Sequence, residues 1–98
     1  MPVRHKNEVT IGQAIDMMIG NLKLQGKLDE SRIKDAWPLL MGGPIAKHTS
    51  SVSFKDGKMY VKVELPALKQ ELGYSREKIR DLFNAELGRQ VIKDVFIF

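Results

Sequence analysis

A β-hairpin signal centred on Asp56-Gly57 sets the architecture that the rest of this chain must fit. Asp-Gly favours a two-residue turn because both turn positions require positive φ. Apolar and polar residues alternate on both sides of the turn, and the apolar positions are Val52, Phe54, Met59, Val61, Val63 and Leu65. This alternation predicts two antiparallel strands with one packed face and one face in water.

The segment after the hairpin predicts a helix and then a third strand. Pro66 suits the first turn of a helix. An apolar face predicts one helix over residues 66–87, and it is formed by Leu68, Leu72, Ile79, Leu82 and Phe83. Gly73 weakens the middle of that helix by about 1 kcal/mol relative to alanine, so the alternative is a break at residues 73–75 with Ser75 capping the second half. Gly88 is a helix stop, and residues 91–98 are β-branched and aromatic, as strands are.

A capping-box pattern predicts the start of a helix near the beginning of the chain. Thr10 is the expected N-cap, and Gln13 reaches back to it. The apolar face of this helix consists of Ile11, Ile15, Met18, Ile19 and Leu22. Gly26 is predicted to end it.

A second helix is predicted before the hairpin, capped by Asp29 or Ser31. Its apolar stripe is Ile33, Ala36, Trp37 and Leu40. Trp37 is expected to be a core residue rather than a platform for stacking bases. Pro38 lacks a backbone donor and clashes with the preceding turn, so a kink or a break into two short helices is expected there.

The predicted order of elements is α-α-β-β-α-β, which defines an α+β fold. A hairpin followed by a helical crossover gives a three-stranded mixed sheet, with helices covering one face. A length of 98 residues indicates one domain. Residues 1–9 have no periodicity and are expected to form a flexible arm, which leaves residues 10–98 as the domain.

The composition argues against an enzyme, a metal site or a membrane protein. There is no cysteine, and the two histidines lack metal-ligand spacing. His48 is followed by two hydroxyl residues, but no orienting acid lies near it in sequence. No phosphate-cradling glycine loop and no run of about 18 apolar residues is present. We therefore expect no cofactor, no small-molecule substrate, no membrane and a cytoplasmic location.

A modest excess of basic residues permits contact with nucleic acid. Lys and Arg total 16 against 12 Asp and Glu, which gives a net charge of +4. On a continuous helix, three cations and a glycine would lie along one flank that could follow a phosphate backbone: Lys69, Gly73, Arg76 and Arg80. The alternative is a solvated helix face paired with neighbouring acids.

The outer face of the hairpin and one side of the first helix are further candidate surfaces. Lys55 and Lys62 are candidate phosphate contacts, and Tyr60 between them could stack on a base. The alternative is that the lysines only keep the hairpin soluble and protect an edge. Met17 and Leu24 point away from the apolar face of their helix and are candidate contacts for a protein partner.

The order of several residues resembles the DciA-type domain over roughly residues 10–98. The resemblance is carried by Trp37, Gly42, Ile45-Ala46-Lys47-His48-Thr49, Gly57, Val61, Val63, Glu71-Leu72, Ile79, Leu82, Asn84, Leu87-Gly88 and Val95-Phe96. It implies a KH-like fold and no catalytic residues. KH domains proper clamp the nucleic-acid backbone with a Gly-x-x-Gly loop. The nearest stretch here, residues 73–76, lacks the second glycine, so that mode is not expected.

The resemblance also implies a function and its partners. Members of the family assist loading of the replicative DNA helicase on single-stranded DNA and bind DNA while doing so. The expectation is therefore a non-enzymatic adaptor that contacts the helicase and single-stranded or double-stranded DNA. The alternative is a protein-interaction module without nucleic-acid binding.

Overall fold

A computed structural model describes residues 10–98 as four helices and three strands. In chain order they are α1 (Ile11–Met41), α2 (Gly43–Lys47), β1 (Thr49–Lys55), β2 (Lys58–Val63), α3 (Pro66–Tyr74), α4 (Arg76–Leu87) and β3 (Asp94–Ile97). The mixed α+β architecture predicted from the sequence is confirmed. The flexible arm expected at residues 1–9 lies outside the described residues.

The sheet has the order β1-β2-β3, with the hairpin antiparallel and β3 parallel to β2. Asp56 and Gly57 turn the chain with φ of 53° and 80°, so both have the positive φ that a two-residue Asp-Gly turn requires. A Cβ at Gly57 would lie in contact with Lys93, whose Cγ is 3.4 Å from the ideal Cβ position. The hairpin prediction is confirmed in position and turn.

One long helix, α1, replaces the two predicted before the hairpin. Its start is as predicted, since the Thr10 hydroxyl accepts from the Gln13 backbone N–H at 3.0 Å and the Gln13 side chain accepts from the Thr10 N–H at 2.8 Å. The predicted end at Gly26 is wrong, and so is a break at Pro38, because α1 spans 31 residues without interruption. Asp29 does not cap a helix; it is a buried mid-helix residue.

Tertiary contacts of Asp29 account for the continuity of α1 across Gly26. Its Oδ1 accepts from the Gln25 Nε2 one turn earlier at 3.0 Å and is paired with the Arg89 guanidinium. Partnering is required because an unpaired buried carboxylate is costly. These contacts fix the helix on the C-terminal side of Gly26, and they outweigh the roughly 1 kcal/mol preference of glycine against helix.

The helices pack on one face of the sheet. The core consists of Ile33, Ala36, Trp37, Phe54, Met59, Val61, Val63, Leu72, Ile79, Phe83, Leu87, Ile92 and Val95. At its centre Trp37 of α1 stacks on Phe83 of α4, with ring centroids 5.6 Å apart. Trp37 is therefore a core residue, as expected. The opposite face of the sheet, which carries Lys62 and Phe96, remains exposed and is called the outer face below.

The predicted continuous helix over residues 66–87 is wrong, and the alternative break is found. Ser75 separates α3 from α4 with φ −106° and ψ 16°, outside helical geometry. Ser75 holds the expected N-cap position of α4, and its carbonyl accepts from the Ile79 N–H at 2.9 Å, but its side chain makes no capping hydrogen bond. Instead the Arg76 Nε donates to the Gly73 carbonyl at 3.1 Å, which satisfies an end-of-helix acceptor.

The connection from α4 to β3 is held by one buried amide. Asn84 accepts the backbone N–H groups of Val91 and Ile92 on Oδ1, at 3.1 and 2.8 Å, and donates from Nδ2 to the Ile92 carbonyl at 3.0 Å. A second cross-link joins α1 to the end of α4, where Arg32 Nη2 donates to the Glu86 carbonyl at 2.7 Å. These contacts set where β3 enters the sheet.

Replacement of two glycines near helix ends by alanine is expected to change the free energy of unfolding in opposite directions. Gly73 has open space where a methyl group would project and no positive φ, so Gly73→Ala should raise the free energy of unfolding by about 0.5–1 kcal/mol. Gly88 has φ of 74° as the left-handed cap of α4, so Gly88→Ala should lower it by about 1–2 kcal/mol. Urea unfolding of both variants measures the difference, and equal shifts would contradict it.

Candidate nucleic-acid interface

The outer face carries a pair of stacked aromatic rings. The register sets Tyr60 of β2 beside Phe96 of β3, and their ring centroids are 5.3 Å apart with an interplanar angle of 16°. Phe96 is 39 % exposed, and Tyr60 is partly exposed. Two nearly parallel, partly exposed rings on a sheet form an apolar aromatic platform, and a nucleic-acid base can stack on a ring face that the pair leaves free.

Lysines surround this platform on the same face. Strand alternation puts Lys58 and Lys62 on either side of Tyr60 along β2, each two residues away. Lys55 of β1 is the strand partner of Lys58 and adds a second cation at the turn end. All three side chains are exposed. The face thus combines a stacking surface with positive charge at both ends of the central strand.

The three cations predicted on α3 and α4 occupy a different part of the molecule. Lys69 lies on α3, whereas Arg76 and Arg80 lie on α4. The predicted shared helix flank of Lys69, Arg76 and Arg80 is wrong, because Ser75 interrupts the helix between Lys69 and the two arginines. Arg80 also pairs with its neighbour Asp81 at 3.0 Å. Their role in phosphate binding stays a prediction without the geometric support that a continuous helix would have given.

Lys55 and Lys62 are therefore separated from the other candidates by the sheet itself. Helices α3 and α4 pack on the core face through Leu72, Ile79 and Phe83. A single nucleic-acid strand lying on the outer face would contact Lys55 and Lys62, and reaching the arginines would require it to pass around a sheet edge. The geometry divides the sequence-predicted cations into two surfaces.

Sequence reasoning missed Phe96 as a member of the outer face. Residues 95–98 at the end of the chain read Val-Phe-Ile-Phe, and because every position is apolar, this sequence does not reveal which side is exposed. Only the parallel register with β2 pairs Val95 with buried Met59 and Phe96 with Tyr60. Lys58 also belongs to the outer face, and its alternation with Tyr60 and Lys62 along β2 is the sequence signal that identifies it.

The candidate partner contacts Met17 and Leu24 lie on the first half of α1. They are 59 % and 58 % exposed, which is high for large apolar side chains. No described element packs over them. Their exposure is compatible with a protein contact but does not identify the partner, so the assignment stays a prediction.

Comparison with known proteins gives one match. A family model described as "Dna[CI] antecedent, DciA" matches residues 10–97. No curated protein and no solved structure matches the chain. Within the described part of the chain, no helix has the length and apolar character needed to cross a membrane.

Proposed function

We propose a function from one premise: the chain belongs to the DciA family, whose model matches it almost from end to end. Membership implies a role related to loading of the replicative DNA helicase. The finer proposal is that this protein is a non-enzymatic adaptor. It binds single-stranded DNA on the outer face of its sheet while the helicase is brought onto that strand.

The observation that carries the proposal is the Tyr60–Phe96 platform with lysines around it. Stacking of a base on an aromatic ring contributes about 1–3 kcal/mol and does not depend on sequence. Bases in a duplex are already stacked on each other, so an exposed platform favours single strands over duplexes. Lys55, Lys58 and Lys62 supply attraction for phosphates beside the stacked bases.

The cations of α3 and α4 enter the proposal as a second surface. Lys69, Arg76 and Arg80 would add phosphate contacts for a longer strand or for duplex DNA that reaches the opposite side of the domain. Their contribution should be weaker, because Arg80 is already paired with Asp81 and the exposed aromatic between them in sequence, Tyr74, is a single ring rather than a stacked pair. We therefore assign the main single-strand contact to the outer face.

The alternative function is a protein-interaction module without nucleic-acid binding. It is favoured by the exposed apolar side chains of α1, including Met17 and Leu24. Under this alternative the outer-face lysines only keep the sheet soluble and its edges unpaired. The helicase would then be captured without DNA, and capture would persist at high salt because it rests on apolar contacts.

Fluorescence anisotropy with a labelled single-stranded oligothymidine tests the proposal. We expect Tyr60→Ala to weaken binding by about 5- to 100-fold, from the loss of one stacking partner. Lys55→Ala with Lys62→Ala should lower the slope of log affinity against log salt by about 1.4, or about 0.7 for each lost phosphate contact on a single strand. Tyr60 is only partly buried, so circular dichroism should show an intact fold.

The matched control is Arg76→Ala with Arg80→Ala, which removes the same number of charges from the opposite side of the sheet. Its affinity for the single strand should change by less than about threefold. The reverse pattern would assign binding to α3 and α4 and reject the outer face. No measurable affinity of the natural protein at low salt would favour the interaction module.

A further inference from the structure

The first half of α1 projects beyond the domain with its apolar face uncovered. We call residues 11–26 the projecting half. At 1.5 Å per residue, the 31-residue helix is about 46 Å long. Only its second half contributes to the core, through Ile33, Ala36 and Trp37. The apolar stripe of the projecting half consists of Ile11, Ile15, Met18, Ile19 and Leu22, all exposed.

This apolar stripe continues the buried face of the same helix. From Ile11 the steps are four, three and four residues to Leu22, and the same steps run from Asp29 through Ile33 and Ala36 to Leu40. The two runs are 18 residues apart, which is about five turns of an α-helix, so they lie on one face of α1 along its whole length. The sheet buries its second half, whereas Ile11 is 82 % exposed and Leu22 is 69 % exposed in the first half.

A notch lies beneath the stripe, where the projecting half leaves the domain. Its volume is about 860 Å³. Its walls include Ile19, Leu22 and Gly26 of α1 on one side and Phe54, Gly57 and Val91 of the domain on the other. The notch is therefore open to a helix end that approaches along the stripe.

We propose that a second copy of this chain covers the stripe, with the two projecting halves packed antiparallel in a symmetric dimer. Charge argues for this occupant. The projecting half has only two charged side chains, Asp16 and Lys23, so it is neutral in a chain of net charge +4. DNA would require cations here, and a strongly charged protein surface would find no complement. A second neutral, apolar helix fits.

The positions of these two charges set the register. Asp16 and Lys23 are seven residues apart and share one side of the helix. A two-fold axis between Ile19 and Gly20 brings Asp16 of each copy level with Lys23 of the other. Met18 of each copy then lies against Leu22 of the other copy. Ile11, at the start of each helix, lies level with Leu28 of the other copy and enters the notch of that copy.

The size of the covered surface is sufficient for a dimer. Five largely exposed apolar side chains and the notch walls offer on the order of 600–800 Å² per copy, comparable with half of a standard protein–protein interface. A monomer rarely exposes a contiguous apolar patch above a few hundred Å². The two domains lie at opposite ends of the helix pair. Lys55 and Tyr60 of the outer face also line the notch, so the helix end of the other copy lies beside that face.

Sedimentation equilibrium of the full chain over a concentration series tests the dimer with a matched pair of variants. Met18→Glu with Leu22→Glu charges the stripe and should raise the dimer dissociation constant by more than about 100-fold. Met17→Glu with Leu24→Glu makes the same chemical change on another side of the same helix and should leave the dimer intact. A natural chain that is monomeric at every concentration would overturn the proposal, as would equal losses in both variants.

Cysteine cross-linking tests the antiparallel register, because the chain has no cysteine of its own. Ile19→Cys lies next to the two-fold axis and should form a disulfide-linked dimer on oxidation. Ile11→Cys should not, because the two copies of that position are about 25 Å apart in this register, far beyond the reach of a disulfide. Cross-linking of both variants would indicate parallel helices and overturn the register.

If Met18→Glu with Leu22→Glu abolished helicase capture by a monomeric chain, the stripe would belong to the helicase instead.

Discussion

Asn84→Leu is expected to lower the free energy of unfolding by about 3–5 kcal/mol, although leucine and asparagine have similar size. Asn84 is 1 % exposed and makes hydrogen bonds to three backbone groups of Val91 and Ile92. Leucine makes none of them. Each buried polar group left without a partner costs about 1–3 kcal/mol, and the total stability of a domain this size is about 5–15 kcal/mol. Urea unfolding followed by circular dichroism measures the loss.

Gln90→Ala is the control for Asn84→Leu. The Gln90 side chain accepts from Asn84 Nδ2 at 3.3 Å, but Gln90 is exposed, so water replaces it at a cost below about 1 kcal/mol. A value for Asn84→Leu within about 1 kcal/mol of the natural protein would show that the α4–β3 connection is held by other contacts. Since that connection sets the register of β3, Asn84→Leu should also separate Phe96 from Tyr60 and weaken single-strand binding.

Local signals predicted the hairpin and the start of α1 correctly. The Asp56-Gly57 turn depends on the φ preference of two adjacent residues, and the capping box depends on Thr10 and Gln13 only three residues apart. Such features are decided within a few residues, so the sequence alone determines them. The parallel third strand followed from chain order, because a helical crossover after a hairpin returns the chain to the same sheet.

The length of α1 could not be predicted, because a distant residue decides it. Gly26 has the sequence signature of a helix end, and Asp29 has that of the next helix start. Arg89 lies 60 residues further along the chain and pairs with the Asp29 carboxylate. No pattern within α1 indicates that pairing. The opposite error occurs at Ser75, where the local signal of Gly73 marks a real helix break although the apolar face alone predicts one continuous helix.

The candidate site was predicted in part. Lys55, Tyr60 and Lys62 followed from alternation along the hairpin, whereas the second ring of the platform depends on the register of β3, in which residues 95–97 are all apolar. Packing decides which of Val95 and Phe96 faces the core: Val95 contributes to the core beneath α4, and Phe96 turns outward to Tyr60. The stacking platform is therefore a tertiary feature, and its phenylalanine cannot be identified from the local sequence.

Trp37 fixes α1 on the domain, and Trp37→Ala is expected to lower the free energy of unfolding by about 3–5 kcal/mol, which is most of the stability of a domain near the low end of the range of about 5–15 kcal/mol. The side chain is 3 % exposed and stacks on Phe83, so its removal opens a large cavity between α1 and α4. It also removes the hydrogen bond from Nε1 to the Thr49 hydroxyl at 3.0 Å, which in turn donates to the Ile45 carbonyl at 2.8 Å.

Thr49→Val separates the two contributions of Trp37, because it removes the hydrogen bonds and keeps the ring. We expect a loss of about 1–3 kcal/mol for Thr49→Val, since it removes two partly buried hydrogen bonds that contribute about 0.5–1.5 kcal/mol each. Trp37→Phe should give an intermediate loss, with stacking on Phe83 retained. If Thr49→Val and Trp37→Ala lowered the free energy of unfolding equally in urea, then α1 would be anchored by the hydrogen-bond chain to Ile45 and not by ring packing. Under the packing account, Trp37→Ala also frees α1 from the sheet, so the projecting half loses its fixed direction and dimer formation falls together with stability.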